Sequence, residues 1–418
     1  MSNIAPYVIC HLQLEDQAEQ PDFNQIEKVG YYCVFWWKQI ALGHLYIKKN
    51  EKLNATQFQQ KSLDSIKPAI DFYAGKNSIK INYEEPFLNK APSFSILMEE
   101  LFSADLAKHI PEKVSVSVVI CTRNRSESLK LCLNSLHQQE CMPEEIIVVD
   151  NAPTDDSTKI VAEQYPAVTY YREVRPGLDI ARNSGAKQAK CSIVAYTDDD
   201  VQVHQLWTYK VWETFFDENI QALTGLVISI SLETESQQIF EKHWGFNKGY
   251  QDILFKNNFV NTGYAPKVWE IGAGANMAFR KSVLEKIDFF DERLDVGAAG
   301  CSGDSEIWYR ILAAGYVIQY NPRAIVFHEH RKQMDALHKQ VFSYMRGHAA
   351  SVLIQSAQNN NDGYKKYLYY LLPKYYLLKM VAGFPTYPFQ YQTWLSEVKG
   401  IRSGIKFYHQ NKIKPPTQ

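Results

Sequence analysis

The sequence predicts an α/β protein with a doubly wound, mostly parallel sheet, a small α+β module before it and a helical extension after it. Three observations predict this. Short β-branched apolar runs, "VSVSVVICT", "EEIIVVD", "VTYYREV" and "SIVAYTDDD", alternate with helical patterns in the middle of the chain. Each run is apolar on both faces, as in a sheet covered by helices on both sides. Polar residues that stand out, Thr122-Arg123, Asp150 and Asp198 to Asp200, fall at the ends of these runs, where ligands of open α/β sheets bind.

Taken in order, residues 1–112 form the accessory module. "GYYCVFWWKQIALGHLYIKK" reads as two strands joined near Lys38-Gln39, Leu53 to Phe72 as an amphipathic helix, "SIKINY" as a further strand and "EEPFLNKAPS" as a linker. Residues 113–350 form the main domain. There "RSESLKLCLNSLHQQ" places Leu129, Cys132, Leu133 and Leu136 at helical spacing, and "DSTKIVAEQY" and "LDIARNSGAKQA" are further helices. The resulting βαβαβ rhythm is what predicts the parallel sheet.

Residues 351–418 are rich in Tyr, Leu and Lys, and from Tyr364 onward carry nine Lys or Arg against the single acid Glu397. A basic, aromatic segment of this kind suits a helix lying in a membrane interface. It equally suits a helix packed on the main domain with snorkelling lysines. Pro373, Pro385 and Pro388 should break it into short pieces that do not span.

With 45% hydrophobic and 22% charged residues over 418 positions, the chain is globular and large enough for two or three units. A formal net charge of −1 gives no general reason to expect nucleic acid. Seven cysteines without a CxxC pair argue against a disulfide framework or zinc ribbon and for a reducing compartment. The first residues lack a basic start followed by an apolar run, so no signal peptide is expected. No apolar run reaches the roughly 20 residues of a spanning helix. The expected location is cytoplasmic, with peripheral contact at the cytosolic membrane face as an option.

The triplet Asp198-Asp199-Asp200 poses the central chemical question. Two carboxylates one residue apart at a strand end can face one small volume, and a hard divalent cation such as Mg²⁺ or Mn²⁺ would relieve their repulsion. The plain alternative is an acidic turn in which Asp199 or Asp200 caps the helix that follows. Downstream, "DVGAAGCSGDSEIWYRILAAGY" runs from a Gly-rich loop into a helix with Asp304 and Glu306 at its start. Those acids either cap that helix or, in the case of Asp304, take a proton from an incoming hydroxyl. In "NPRAIVFHEHR", His328 and His330 share one strand face, and an imidazole beside two carboxylates suits Mn²⁺ better than Ca²⁺.

Together these segments resemble the inverting family 2 glycosyltransferases of the GT-A, Rossmann-like fold. The matching stretches are "VSVVICTRNR", "IIVVDNAPTDDS", "RPGLDIARNSGAKQA", "VAYTDDD", "GAGANMAFRKSVL" and "GDSEIWYRILAAGY", in the family's order over about residues 114 to 330. The resemblance implies a nucleotide pocket lined by Thr122, Arg123, Arg125 and Asp150. Arg175 and Arg182-Asn183 would flank the segment that closes over the nucleotide, with Arg182 equally able to be a helix-surface charge. Asp198 and Asp200 match the DxD motif, Asp200 for direct metal contact and Asp198 nearer the ribose or sugar, with Asp199 between them. His328 matches a histidine that completes the metal–diphosphate site, and Asp304 matches the general base.

In one respect the chain departs from the pattern: many relatives carry Glu-Asp where it has Gly303-Asp304. Glu306 is near enough in sequence to compete for the role of base. Asn276, Trp269 and Trp308 are candidate acceptor-side contacts, although most aromatics in such a chain serve the core.

The implied reaction moves a sugar from a nucleotide-diphosphate donor to an acceptor hydroxyl on a saccharide or lipid-linked acceptor, with Mn²⁺ or Mg²⁺ at the diphosphate, in polysaccharide or glycoconjugate synthesis. A nucleotidyltransferase would ordinarily show glycines in the first loop, and "CTRNRSES" has none. A non-catalytic sugar-nucleotide-binding protein on the same fold is the remaining alternative. A redox dinucleotide enzyme is disfavoured because GxGxxG is absent.

Overall fold

The computed structural model describes residues 4–15, 23, 25–106, 109–261, 263–359 and 362–411. Strands β1 (Tyr7–Gln13), β2 (Gly30–Trp37) and β3 (Ile40–Ile47) form a small sheet in that order, β1 parallel and β3 antiparallel to β2. The wholly buried β2 reverses into β3 through Lys38, which adopts φ +51. Helix α1 (Ala55–Lys76) begins at a capping box, with Asn54 accepting from the Gln57 N–H at 2.8 Å and Gln57 returning the contact.

Two expectations for this module fail. "SIKINY" pairs with no strand; Ile79 and Ile81 pack against the core as irregular chain. The expected linker opens with helix α2 (Glu84–Leu88), followed by α3 (Ser93–Leu106). Pro86, which reads as a breaker, sits in the first turn of α2, where no N–H is needed, and Glu84 and Glu85 face the positive helix start.

The main sheet is assembled from β4 (Lys113–Thr122), α4 (Ser126–His137), β5 (Met142–Asn151), α5 (Ser157–Ala162), β6 (Val168–Glu173), α6 (Leu178–Gln188) and β7 (Ile193–Asp198). It continues through β8 (Val201–Val203), α7 (Trp207–Thr214), β9 (Ile220–Ser229), α8 (Glu235–His243), β10 (Ile253–Phe255), β11 (Asn276–Arg280), α9 (Lys281–Lys286), α10 (Gly303–Ala313) and β12 (Val317–His328). The strand order is β10-β12-β9-β11-β7-β4-β5-β6, with β8 on β12. Strands β7, β4, β5 and β6 are mutually parallel, as are β9 and β12, while β11 inserts antiparallel between β7 and β9.

The two faces of this sheet bury separate apolar layers. Val119, Val149, Val194 and Tyr196 join the core that also holds the N-terminal sheet, and Val118, Ile120, Val148 and Ala195 face α4 and α7.

The chain ends in α11 (Met334–Asn359), α12 (Asp362–Lys366), a π-helical turn at Tyr367–Leu371, α13 (Leu372–Gly383) and α14 (Trp394–Gln410). Helices α11 and α14 cross so closely that a Cβ at Gly400 or Gly404 would overlap the carbonyls of Phe342 and Arg346. Pro373 does not interrupt its helix as expected. The π turn precedes it and the rod is continuous from Asp362 to Gly383. Pro385 and Pro388 do lie beyond its end.

Candidate active site

Strand register brings the polar residues into a row. Asp150 on β5 pairs with Thr122 on β4, and Cys121 pairs with Asp198 on β7, so the carboxyl ends of three adjacent strands deliver Thr122, Asp150 and Asp198 to one edge. Asp150 is fully buried. One of its oxygens accepts from the Tyr170 hydroxyl at 2.9 Å, and the other, Oδ1, is buried without a hydrogen bond. Burial pushes its pKa up, against the pull of Tyr170, the nearby Thr158 hydroxyl and Arg172.

The acidic triplet is not a helix cap. Asp198 ends β7, β8 follows at once, and the next helix starts only at Trp207, beyond an N-cap at Leu206. Asp199 turns inward, accepting from Thr122 Oγ1 at 2.7 Å and from Arg125 at 2.5 Å. The same guanidinium reaches Asp200 Oδ2 at 2.7 Å, and Arg331 lies 3.6 Å from that oxygen. Burial with its acidic neighbours pushes Asp198 up to about 7, and burial pushes Asp199 to about 6. Burial acts on Asp200 in the same direction but is outweighed by His328 in its protonated form, which it holds only in acid, and by Arg125 and Arg331, and the carboxyl stays below the usual range.

Asp198, Asp200 and His328 can bring one donor atom each within 4.8 Å of one another. His328 Nε2 lies 3.5 Å from Asp200 Oδ1. Burial holds His328 down to about 4, so at neutral pH it is an unprotonated imidazole with a lone pair to offer, and Arg125 and Arg331 are the cations that offset Asp200. Two carboxylate oxygens and one imidazole nitrogen fit Mn²⁺ or Mg²⁺.

Asp304 occupies the first turn of α10. Its Oδ2 accepts from the Gly274 N–H at 3.0 Å and its Oδ1 from the Ser305 N–H at 2.6 Å. Burial and Asp295 push its pKa up, opposed by Arg182. Arg182 is not a helix-surface charge. It is buried, donating to Asp179 at 2.9 Å and Asp295 at 2.8 Å, with Asp198 and Asp304 also in electrostatic reach. Its neighbour Asn183 pins α6 to the backbone of Phe290. At Gly303, where a side chain would begin, the Asp179 carboxylate fills the space.

The remaining expected residues scatter. Arg123 is exposed at the rim of the first loop. Arg175 is half-exposed and engaged by Glu173 at 3.0 Å and Glu292 at 3.6 Å.

Three acceptor-side expectations are corrected. Glu306 is fully buried, pairing with Arg310 at 2.7 Å while Arg310 also bonds the carbonyls of Ile287 and Phe289, so it cannot compete with Asp304 as base. Trp308 is fully buried, stacked on Phe279 with centroids 5.1 Å apart. Asn276 spends its amide inside the sheet, accepting from Trp207 Nε1 and donating to the carbonyls of Leu226 and Ala324. Trp269, 37% exposed and edge-on to His348, stays at the surface.

Residues 117–288 match the sequence model of Glycosyl transferase family 2. That segment is similar to a family 2 glycosyltransferase domain. The chain's parallel-dominated α/β sheet, with an N-terminal sheet and C-terminal helices, has the GT-A architecture. The glycosyltransferase AglE of Haloferax volcanii is 27% identical over 54% of this chain and 70% of that protein. The pre-mycofactocin glycosyltransferase of Mycobacterium tuberculosis is 25% identical over 54% of this chain, which spans 44% of that relative's length. A mannosyltransferase of Pyrobaculum calidifontis, solved with GDP-Man and Mn²⁺, superposes at TM-score 0.48 and 17% identity, covering 76% of this chain and 95% of that one.

Several groups of the candidate site escaped the sequence. Asp179 and Asp295 flank Arg182 from positions 116 residues apart. Burial lowers the pKa of Lys248, which feels the charges of Glu270 and Asp304, and Tyr344 on α11 feels those of Asp304 and Asp198. Nothing in the local pattern marks any of them. Arg331, adjoining the two histidines of "HEHR", had a signal in that company.

Proposed function

We propose that the chain is an inverting, metal-dependent glycosyltransferase whose catalytic unit is residues 113–350. One observation carries the reading: Arg182 is within electrostatic range of both Asp198, on the metal-suited side, and Asp304, so donor and base chemistry share one charged cluster. The nucleotide would lie across the ends of β4 and β5. There the unpaired Oδ1 of Asp150 can accept an N–H from the base, and the exposed guanidinium of Arg123 and the rim residue Arg175 can meet anionic oxygens. Asp198, Asp200 and His328 would hold Mn²⁺ or Mg²⁺, which when bound offsets negative charge on the leaving diphosphate.

Asp304 takes the proton of the acceptor hydroxyl. The hydroxyl oxygen forms a bond to the anomeric carbon on the face opposite the diphosphate. The carbon–oxygen bond to the diphosphate breaks, its electron pair leaves with the nucleoside diphosphate, and the configuration inverts. Backbone N–H groups on both oxygens of Asp304 fix the carboxylate, and its raised pKa brings it nearer the pH at which a general base works best. Positioning of this kind contributes on the order of 7–11 kcal/mol at its favourable limit.

For the acceptor we infer a saccharide or lipid-linked glycan presented at a cytosolic membrane face. The Asp362–Gly383 rod buries one stripe, Tyr364, Leu368, Leu372 and Tyr376, and exposes Tyr369, Tyr370, Tyr375, Leu377, Leu378 and Val381. Exposed Lys365, Lys366 and Lys374 border that face, and no acid lies between Gly363 and Ser396. Among the described residues no helix is long and apolar enough to cross a membrane. The reading is therefore peripheral contact.

The proposed reaction is tested by transfer from a panel of sugar nucleotides with the product's anomeric configuration read by NMR. Inversion, lost in Asp304→Asn, is expected; retention would overturn the mechanism.

A further inference from the structure

We propose that Glu241 and His330 form a relay that fixes the tautomer of His328 and so prepares its Nε2 to bind the cation. The proposal rests on the reading above that Asp198, Asp200 and His328 hold a divalent metal. The groups are contiguous. Glu241 Oε2 on α8 lies 2.7 Å from His330 Nε2, His330 Nδ1 lies 3.0 Å from His328 Nδ1, and His328 Nε2 faces Asp200.

The protons along this chain follow from the partners. A carboxylate only accepts, so His330 carries its proton on Nε2 and donates it to Glu241. A His328 that ligates through Nε2 carries its remaining proton on Nδ1, and His330 Nδ1, 3.0 Å away, is placed to accept it. That leaves the Nε2 of His328 unprotonated and directed toward Asp200, the form a metal needs. Were the order reversed, His328 would carry hydrogen on Nε2 and could not ligate.

Neither ring is free to turn away. His328 and His330 are both buried, Phe240 packs on His330 with centroids 4.6 Å apart, and Phe246 stands edge-on to His328 at 5.6 Å. Helix α8 is itself fixed by the Thr234–Gln237 capping box at its start. Beside Glu241, Lys242 lies 4.9 Å and 5.0 Å above the rings of Tyr7 and Tyr46 and 5.4 Å above Phe389. The N-terminal sheet and the C-terminal extension thus brace the helix that holds the far end of the relay.

The test uses the full chain and two readouts. Free Mn²⁺ is followed by electron paramagnetic resonance during titration, and the imidazole tautomers of the metal-free protein are read from ¹⁵N NMR of histidine-labelled chain. The expected result is Nδ1–H on His328 in the wild type. Mn²⁺ affinity should fall about 10–100-fold in Glu241→Leu and His330→Leu, with recovery in His330→Asn, whose side-chain oxygen can accept the His328 proton. Should the leucine variants fail to fold, the wild-type tautomer and the Glu241→Gln and His330→Asn affinities still decide, each expected within a few-fold of wild type. Hydrogen on Nε2 of His328, or leucine variants that fold and bind Mn²⁺ like wild type, overturns the relay and leaves the metal site standing. A wild type that binds no Mn²⁺ overturns the metal site, and the relay's role with it.

Discussion

The Asp179 carboxylate occupies the space into which a side chain at Gly303 would project. The resemblance leads one to expect an acid at that position, and here an acid from α6 fills the volume instead. Asp179 is itself buried beside Arg182 and Asp295, and burial with Asp295 pushes its pKa well above the usual carboxylate range. Gly303→Ala would press on this carboxylate and is expected to destabilise the fold by about 1–3 kcal/mol, as overpacking does. Urea unfolding of the variant checks this; unchanged stability would show that Asp179 has room to retreat.

Asp304 and Glu306 separate by assay. Asp304→Asn should lower kcat by about 10²–10⁴-fold, the usual contribution of a general base, while nucleotide affinity stays within about twofold. Glu306→Gln should act on stability instead. It removes one partner of a buried ion pair, at a cost on the order of 3–5 kcal/mol, because Arg310 is left uncompensated. Denaturant melts and steady-state kinetics on both variants distinguish the two roles.

The acidity of Asp198 sets a pH dependence. It must lose its proton to ligate, and its pKa stands at about 7, whereas His328 stands at about 4 and is already neutral. Mn²⁺ affinity should therefore rise up to about tenfold per pH unit below 7 and level off above it. Calorimetry in buffers of different ionisation enthalpy should show close to one proton released at pH 6 and almost none at pH 8.

The metal-free fold responds with the opposite sense. The raised pKa values of Asp198 and Asp199 mean that the folded chain binds more protons than the unfolded one over this range. Its stability should fall as pH rises from about 5 to 8, and added Mn²⁺ should restore it most at the upper end. A melting temperature that rises with pH in the absence of metal would contradict this account of the triplet.

Membrane contact through the exposed rod is tested by co-sedimentation with vesicles containing phosphatidylglycerol. Leu377→Ser with Leu378→Ser, and separately Lys365→Glu with Lys366→Glu, should each weaken binding several-fold without changing the melting temperature, since all four side chains are exposed. Equal sedimentation of every form would exclude this face as the contact.

The central sheet and half of the site were legible because their signals are local. Strands β4, β5 and β7 announce themselves as short β-branched runs, and register alone then carries Thr122, Asp150 and Asp198 to one edge. Asp304 was visible as an acid opening a helix after glycines. What stayed hidden depends on tertiary partners. Asp295 meets Arg182 across 113 residues, Glu241 meets His330 across 89, and neither contact has a periodic or compositional trace. "SIKINY" alternates like a strand yet finds no partner. Glu306 and Trp308 flank Ile307 near the N-terminal end of α10 but turn inward, Glu306 because Arg310 one turn on neutralises it and Trp308 because Phe279 offers a stacking face.

The account rests most directly on whether Asp198, Asp200 and His328 hold a cation for a nucleoside diphosphate. Isothermal titration of UDP, GDP and dTDP, with and without Mn²⁺, against wild type, Asp200→Ala and Asp304→Asn decides it. One diphosphate should bind in the presence of Mn²⁺, lose binding in Asp200→Ala and keep it in Asp304→Asn. Binding that is indifferent to Mn²⁺ and to Asp200, or no binding of any diphosphate, would contradict the account.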